Sequence, residues 1–308
     1  MSVYKCARAQ LFIQVKFMEK TMKCSRHHSQ HIYQASAYSV AAEFERPKKH
    51  SLSPQASVVL AGHGGHGSNR ASAYNADGLI SFKNAYSEVG GSFDDCHGLH
   101  TTHAWSVVEG LNVADMLTAD RVVARMAIYY SPTDGSEASY DITGSYFENL
   151  RIAGHPIEVK LATHVFHDHD TYSKVANAHK TGSTDDWLVG GKLKHLKDNQ
   201  LTELEDTYHA LTGMSGLVKE WKKPKRPEDR GSYWFSPANH LDWKAQGGSS
   251  EILGFGSIIC IPKFGVIRLA EMVVHHHSRT LRMFRVQMCS SGHGGADGPT
   301  GGGSTPPL

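Results

Sequence analysis

Hydrophobic and polar residues alternate along much of this chain with a period of two. The clearest run is HAWSVVEGLNVADMLTADRVVARMAIYYS, where Val122, Ala124, Met126, Ile128 and Tyr130 alternate with Val123, Arg125, Ala127 and Tyr129. β-Branched and aromatic residues at that period, ended by SPTDGS, predict a strand and then a turn. ASVVLAG and ADGLISFKNAYSEVGG are shorter runs of the same kind, closed by glycine. GSYFENLRIAGHPIEVKLATHVF predicts two strands punctuated by AGHP, the second running continuously through HPIEVKLATHVF. GFGSIICIPKFGVIRLAEMVV and RTLRMFRVQM predict three more, joined at PKFG and HHHS. Many short strands with Gly and Pro turns imply a mainly β fold, an antiparallel β-sandwich or jelly roll.

One segment departs from this pattern. Between about residues 172 and 250, Leu193, Leu196, Leu201, Leu204, Tyr208 and Leu211 fall near helical spacing and predict a helix-containing insertion. The remainder, residues 34–289, is expected to form a single sandwich domain. Residues 1–33 show no clear pattern and are expected to be a poorly ordered extension. Residues 290–308, SSGHGGADGPTGGGSTPPL, have the Gly/Pro/Ser composition of a disordered tail.

Composition narrows the function classes. A net charge of +2 from 32 basic and 30 acidic residues provides no global field to gather nucleic acid or anionic lipid. The basic run KEWKKPKRPEDR (Lys219–Arg230) carries two prolines and runs into acids, so it reads as a solvated linker. The N-terminal apolar runs are short and broken by Lys or Gln, giving neither a signal peptide nor a transmembrane segment. Five cysteines (Cys6, Cys24, Cys96, Cys260, Cys289) include no C-x-x-C pair; buried thiols are expected, with Cys260 to Cys289 as the alternative bridge.

Histidine is the unusual residue, with 21 spread through RHHSQH, GHGGHG, CHGLHTTH, HVFHDH and HHH. Because imidazole titrates between about pH 5 and 8, mild acid makes the chain more cationic, and a pH-responsive histidine surface is one function class to weigh. THVFHDHDTY holds three histidines and two aspartates in ten residues. On an extended strand His167 and His169 share a face, and with Asp170 and His164 they form a candidate site for a divalent metal such as zinc. The order differs from the H-x-H-x-D-H loop of metallo-β-lactamase-type hydrolases, since Asp170 directly follows His169 and no histidine comes after it. The bland alternative is a strand running out into a polar end, with no metal and no cofactor.

Other motifs fail on context. AGHGGHG satisfies G-x-G-x-x-G at Gly62, Gly64 and Gly67, but no helical stripe follows to hold a pyrophosphate, so it reads as a loop between strands. No G-x-S-x-G nucleophile elbow is present, and GMSG (Gly213–Gly216) lacks the spacing. Asp94 and Asp95 sit in an apparent loop. No catalytic residue is nominated. Trp105 begins an alternating strand and is expected in the core, whereas Trp187, Trp221, Trp234 and Trp243 line a groove or pin the insertion to the sheets.

Three stretches carry a resemblance. SAYSVAAEFERPKKHSLSPQASVVL, AWSVVEGLNVADMLTADRVVARMAI and GSYFENLRIAGHPIEV, with the late IPKFGVIRLAE and LRMFRVQM, are similar to the bacterial all-β domains called choice-of-anchor proteins, especially the P type. The resemblance covers about 150 residues and implies a β-sandwich, an exported or cell-surface location, a surface or protein partner and no established enzymatic activity. It supplies no active-site residues. The leading expectation is therefore a non-enzymatic domain with a structural, adhesive or binding role. The runner-up is a metal-binding protein or metal-dependent hydrolase using residues 164–170.

Overall fold

Backbone pairing converts the alternating runs into two antiparallel sheets. The computed structural model describes residues 31–44, 50–76, 78–132, 137–163, 165–181, 232–238, 252–262, 264–288, 294–298 and 300–304. The first strands are β1 (Gln34–Tyr38), β2 (Val40–Phe44), β3 (His50–Gln55), β4 (Val58–Val59), β5 (Gly65–Ala71), β6 (Tyr74–Ala76) and β7 (Ile80–Phe82). Next come β8 (Asn84–Asp94), β9 (Leu99–Val113), β10 (Leu117–Tyr130), β11 (Ser139–Asp141), β12 (Tyr146–Glu148), β13 (Arg151–Ile152) and β14 (His155–Pro156). The last are β15 (Ser232–Phe235), β16 (Leu253–Phe255), β17 (Ile258–Ile261), β18 (Gly265–His275), β19 (Arg279–Met288), β20 (Gly294–Asp297) and β21 (Thr300–Ser304).

Sheet I runs β16-β17-β18-β19-β20-β2-β3; β15 also pairs β18, and β21 links β19 to β1, which carries β4. Sheet II runs β14-β13-β10-β9-β7-β6, with β8 and β5 also on the β9 side and β11 and β12 on β10. The inward faces of both sheets meet in one apolar core, which is the β-sandwich the patterning predicts. In β10 Val122, Ala124, Met126 and Ile128 are buried in the core; on the opposite row Arg125 is exposed, whereas Val123 and Ala127 are also buried. Burying Val122, Met126 or Ile128 contributes roughly 1.5–3 kcal/mol each relative to exposure. The β9–β10 hairpin turns at Ala114 and Asp115, both at positive φ, the signature of a type I′ loop. Asn112 braces it, its Oδ1 accepting from the Asp115 N–H at 2.9 Å and its Nδ2 donating to Asp115 at 2.7 Å. Ala153 and Gly154 make the same turn between β13 and β14, at the predicted AGHP.

The Gly-rich tail is not disordered where it is described. β20 pairs with β2 on one side and β19 on the other; β21 likewise bridges β1 and β19. Its composition mimics a linker, yet backbone pairing needs no side chains. Gly298, between the two strands, donates to the Phe284 carbonyl at 2.8 Å, and a Cβ there would lie 2.1 Å from the Phe284 ring. Glycine is required by this close approach.

The extension also needs correcting at its inner end. Residues 1–30 lie outside the described residues, but His31 and Tyr33 pack into the end of the sandwich. The Tyr33 hydroxyl meets His100 Nδ1 at 2.8 Å, and the His31 ring stacks on His100 with centroids 4.0 Å apart. Phe93 and Tyr130 complete this aromatic plug. The glycine loop serves it: Gly64 and Gly91 approach the Tyr33 ring so closely that a Cβ at Gly91 would lie 2.7 Å away. A strand, β5, begins within AGHGGHG at Gly65, and no helix directly follows the motif.

The region assigned to the insertion is only partly an insertion. β15 lies within it and pairs with β18, burying Tyr233 and Phe235 in the core. The predicted helix at Leu193–Leu211, the basic run Lys219–Arg230, the GMSG stretch and Trp187, Trp221 and Trp243 lie outside the described residues. Trp234, on β15, has the Arg268 guanidinium 5.0 Å from its ring centroid.

Two stability predictions follow from these contacts. Gly298→Ala forces the Phe284 ring to move and is expected to cost about 1–3 kcal/mol, as overpacking does; equal denaturation midpoints for wild type and variant would refute the close approach. Burial and the neighbouring His100 hold the His31 imidazole down to about 4, and burial lowers His100 as well. The unfolded chain takes up protons below about pH 6.5 that the folded plug refuses, so stability is full above that pH and falls as it drops towards about 4. His31→Phe, which keeps the stack, should flatten this slope in denaturant midpoints measured from about pH 7.5 to 4.

Candidate functional site

The opening candidate, the His/Asp cluster, is built differently from the expected strand end. The predicted strand HPIEVKLATHVF stops at Pro156, leaving an isolated bridge from Leu161 to Ala238. Val165–Asp168 is a helical turn and Tyr172–Lys180 is a helix. Tyr172, Val175 and Ala176 recur at helical spacing and are buried, and the Thr171 hydroxyl caps the start by accepting from the Lys174 N–H at 3.2 Å. His167 and His169 therefore do not share a strand face. His167 is exposed, Asp170 forms an ion pair with Lys174 at 2.6 Å, and His164 lies outside the described residues. What this segment supplies is main chain: the carbonyl of His169 accepts from the Tyr140 hydroxyl at 2.8 Å and that of Asp170 from the Tyr140 N–H at 2.8 Å. His276, from the HHH turn, lies edge-on to Tyr172 at 5.2 Å. Among the described residues no three His, Cys, Asp or Glu side chains are grouped to hold a metal ion.

A cleft lies elsewhere, on the outer face of sheet II. Side chains directly opposite in antiparallel strands share a face, so register alone assembles it. Trp105 of β9 stands between Glu88 of β8 and Arg125 of β10. One row along, His103 stands between Gly90 and Ala127; in the next, Thr101 faces Tyr129. On the other side, Val107 and Val123 continue to Tyr146 of β12. All of these except Gly90 and Val107, together with Gly144, line a cleft of about 380 Å³.

Each wall has a visible support. Val123 and Ala127 are buried and form an apolar floor. Trp105 is held edge-on by Tyr86, with ring centroids 5.6 Å apart and planes at 87°, and the Tyr86 hydroxyl accepts from Arg121. Glu88 has His66 at 3.2 Å and His103 at 3.7 Å. The His103 ring occupies the space a side chain at position 90 would need, since a Cβ on Gly90 would lie 2.2 Å from it. Gly144, at φ +92°, lets the loop before β12 pass against the Arg125 side chain, 3.2 Å from a built Cβ. Ser145 pins the Arg125 main chain through both its N–H and its carbonyl. Burial and Asp141 push the Tyr129 phenol up, with Arg125 opposing.

Trp105 thus lines a cleft and is not in the core. On β9 the inward residues near it are His100, Thr102, Ala104 and Ser106, so polarity alone inverts the reading of this strand. The Ala114–Asp115 turn fixes Trp105 opposite Arg125, and that pairing was the signal available.

The cluster and the clamp make separable predictions. Tyr140→Phe leaves the His169 carbonyl without its buried donor and should cost about 1–3 kcal/mol. His167→Ala, at an exposed position, should stay within about 0.5 kcal/mol. Chemical denaturation of both variants checks this; the reverse order would return the imidazoles to consideration.

No curated protein and no solved structure matches this chain. The family model of a domain of unknown function, DUF8256, matches residues 31–275, and the chain belongs to the DUF8256 family.

Proposed function

We propose that this domain is a passive binding module, structural or adhesive in role, that presents the outer face of sheet II to a ligand. The observation that carries the reading is the cleft of about 380 Å³ in which aromatic, acidic and basic side chains stand on three neighbouring, fully paired strands. Its size falls in the range of small-molecule sites, about 300–1,000 Å³. Its walls are set by strand register and need no closure to form, which favours recognition by a preorganised surface. Similarity to the choice-of-anchor domains supports an exported, envelope-associated setting, which fractionation of the source cells tests directly. No helix among the described residues is long and apolar enough to cross a membrane.

The test is a titration of the purified protein, followed by tryptophan fluorescence and calorimetry, against panels of saccharides, short peptides, nucleotides and small carboxylates. Saturable binding to one class, lost in Trp105→Ala and retained in Val59→Ala, an exposed position outside the cleft lining, is expected. Binding unaffected by Trp105→Ala, or none to any panel by a folded protein, would remove this face as the functional surface.

A further inference from the structure

Resting on that reading, we infer that the cleft binds a saccharide bearing a carboxylate, one ring stacked on Trp105 and the carboxylate paired with Arg125.

The floor excludes other ligand classes first. β9 is paired by β8 and β10, and β10 by β9 and β11 to β13, so their backbone groups are consumed within the sheet. A peptide lying in the cleft finds no main-chain ladder to join, which removes the usual source of affinity for extended peptides. A nucleotide brings two or more negative charges to a site whose lining sets a single arginine against Glu88. What remains are side chains suited to hydroxyls and to an apolar ring face: Trp105, Tyr129 and Tyr146 as aromatic surfaces, and Thr101, His103 and Glu88 as hydrogen-bonding groups.

Two further observations point the same way. The Trp105 Nε1–H is shielded from solvent and meets no acceptor among the described residues, which marks an unsatisfied donor on a residue of the cleft wall. Arg125 is exposed, and among the described residues no carboxylate lies within ion-pair distance of its guanidinium; its stem passes close to Gly144 and its backbone is held by Ser145. A planar guanidinium held in this way suits two parallel hydrogen bonds to a carboxylate. Glu88, on the far side of Trp105, is held by His66 and His103 and is left to accept from ring hydroxyls. The acid and the base flank the indole by register, so orientation of the sugar is set along the row Glu88–Trp105–Arg125.

The experiment uses the full chain and three probes: a uronic-acid disaccharide, its neutral hexose counterpart and acetate. The uronate is expected to quench tryptophan fluorescence saturably and to bind at least ten-fold more tightly than the neutral sugar, with acetate not binding. Arg125→Gln should bring the uronate down to the level of the neutral sugar, and Trp105→Ala should abolish both, with far-ultraviolet circular dichroism confirming the fold. Equal affinity for the two sugars, or uronate binding untouched in Arg125→Gln, overturns the carboxylate assignment. Saturable binding of a peptide or nucleotide from the wider panels, with no saccharide binding, overturns this inference and leaves the binding reading standing; no binding in any panel ends both.

Discussion

Everything in this fold depends on one piece of backbone pairing, the insertion of β20 and β21 between β19 and the first two strands. Sheet I is otherwise two separate parts. β15 to β19 form a connected set at its C-terminal end, and β1 to β4 form two small ladders at its N-terminal end. The final strands join them, each pairing on both sides. The core contains residues from both parts, and β20 and β21 join the two in one hydrogen-bonded sheet. This is a long-range closure, with the loop entropy of nearly the whole chain set against it.

Close approach follows from that pairing. β1 and β21 lie near β9, and there Ala35, Ala37 and Ala104 bring small side chains to the interior. Ser39 meets Ser87 at 3.1 Å, and Ser106 donates to the Tyr38 carbonyl at 3.0 Å, so the sheets are hydrogen-bonded through the core at this point. The bulk excluded from the inside of β9 is carried on its outside as Thr101, His103 and Trp105. The narrow waist of the sandwich and the furnished cleft are the two faces of the same strand.

That inversion explains what the sequence made legible and what it hid. The alternation of β10 was readable because its inner residues are aliphatic and its outer row contains Arg125. β9 was not, because its inner row is His100, Thr102, Ala104 and Ser106 and its outer row includes a tryptophan. The tail was hidden for a related reason: a strand made largely of glycine carries no side-chain period, and only its partners reveal it. The helix at Tyr172–Lys180 was concealed by the histidines and aspartates before it, which drew the reading towards coordination and away from Thr171 as a cap. AGHP, with Ala153 and Gly154 at positive φ, was legible because turn chemistry is local.

The same physics separates the two histidine-rich regions. At residues 167–170 the segment is held through its carbonyls on Tyr140, so its side chains are incidental to the clamp and their identity is unconstrained by it. At the outer face of sheet II the reverse holds: the backbone is fully used in the ladder, and only the side chains are left to act. His103 is fitted over Gly90, Trp105 is braced by Tyr86 and Arg125 is seated by Gly144, three supports that a merely solvated face does not require. A site whose geometry is fixed before any ligand arrives spends little of its binding energy on ordering itself. Recognition at this face therefore rests on how its side chains are held, more than on which residue types are present.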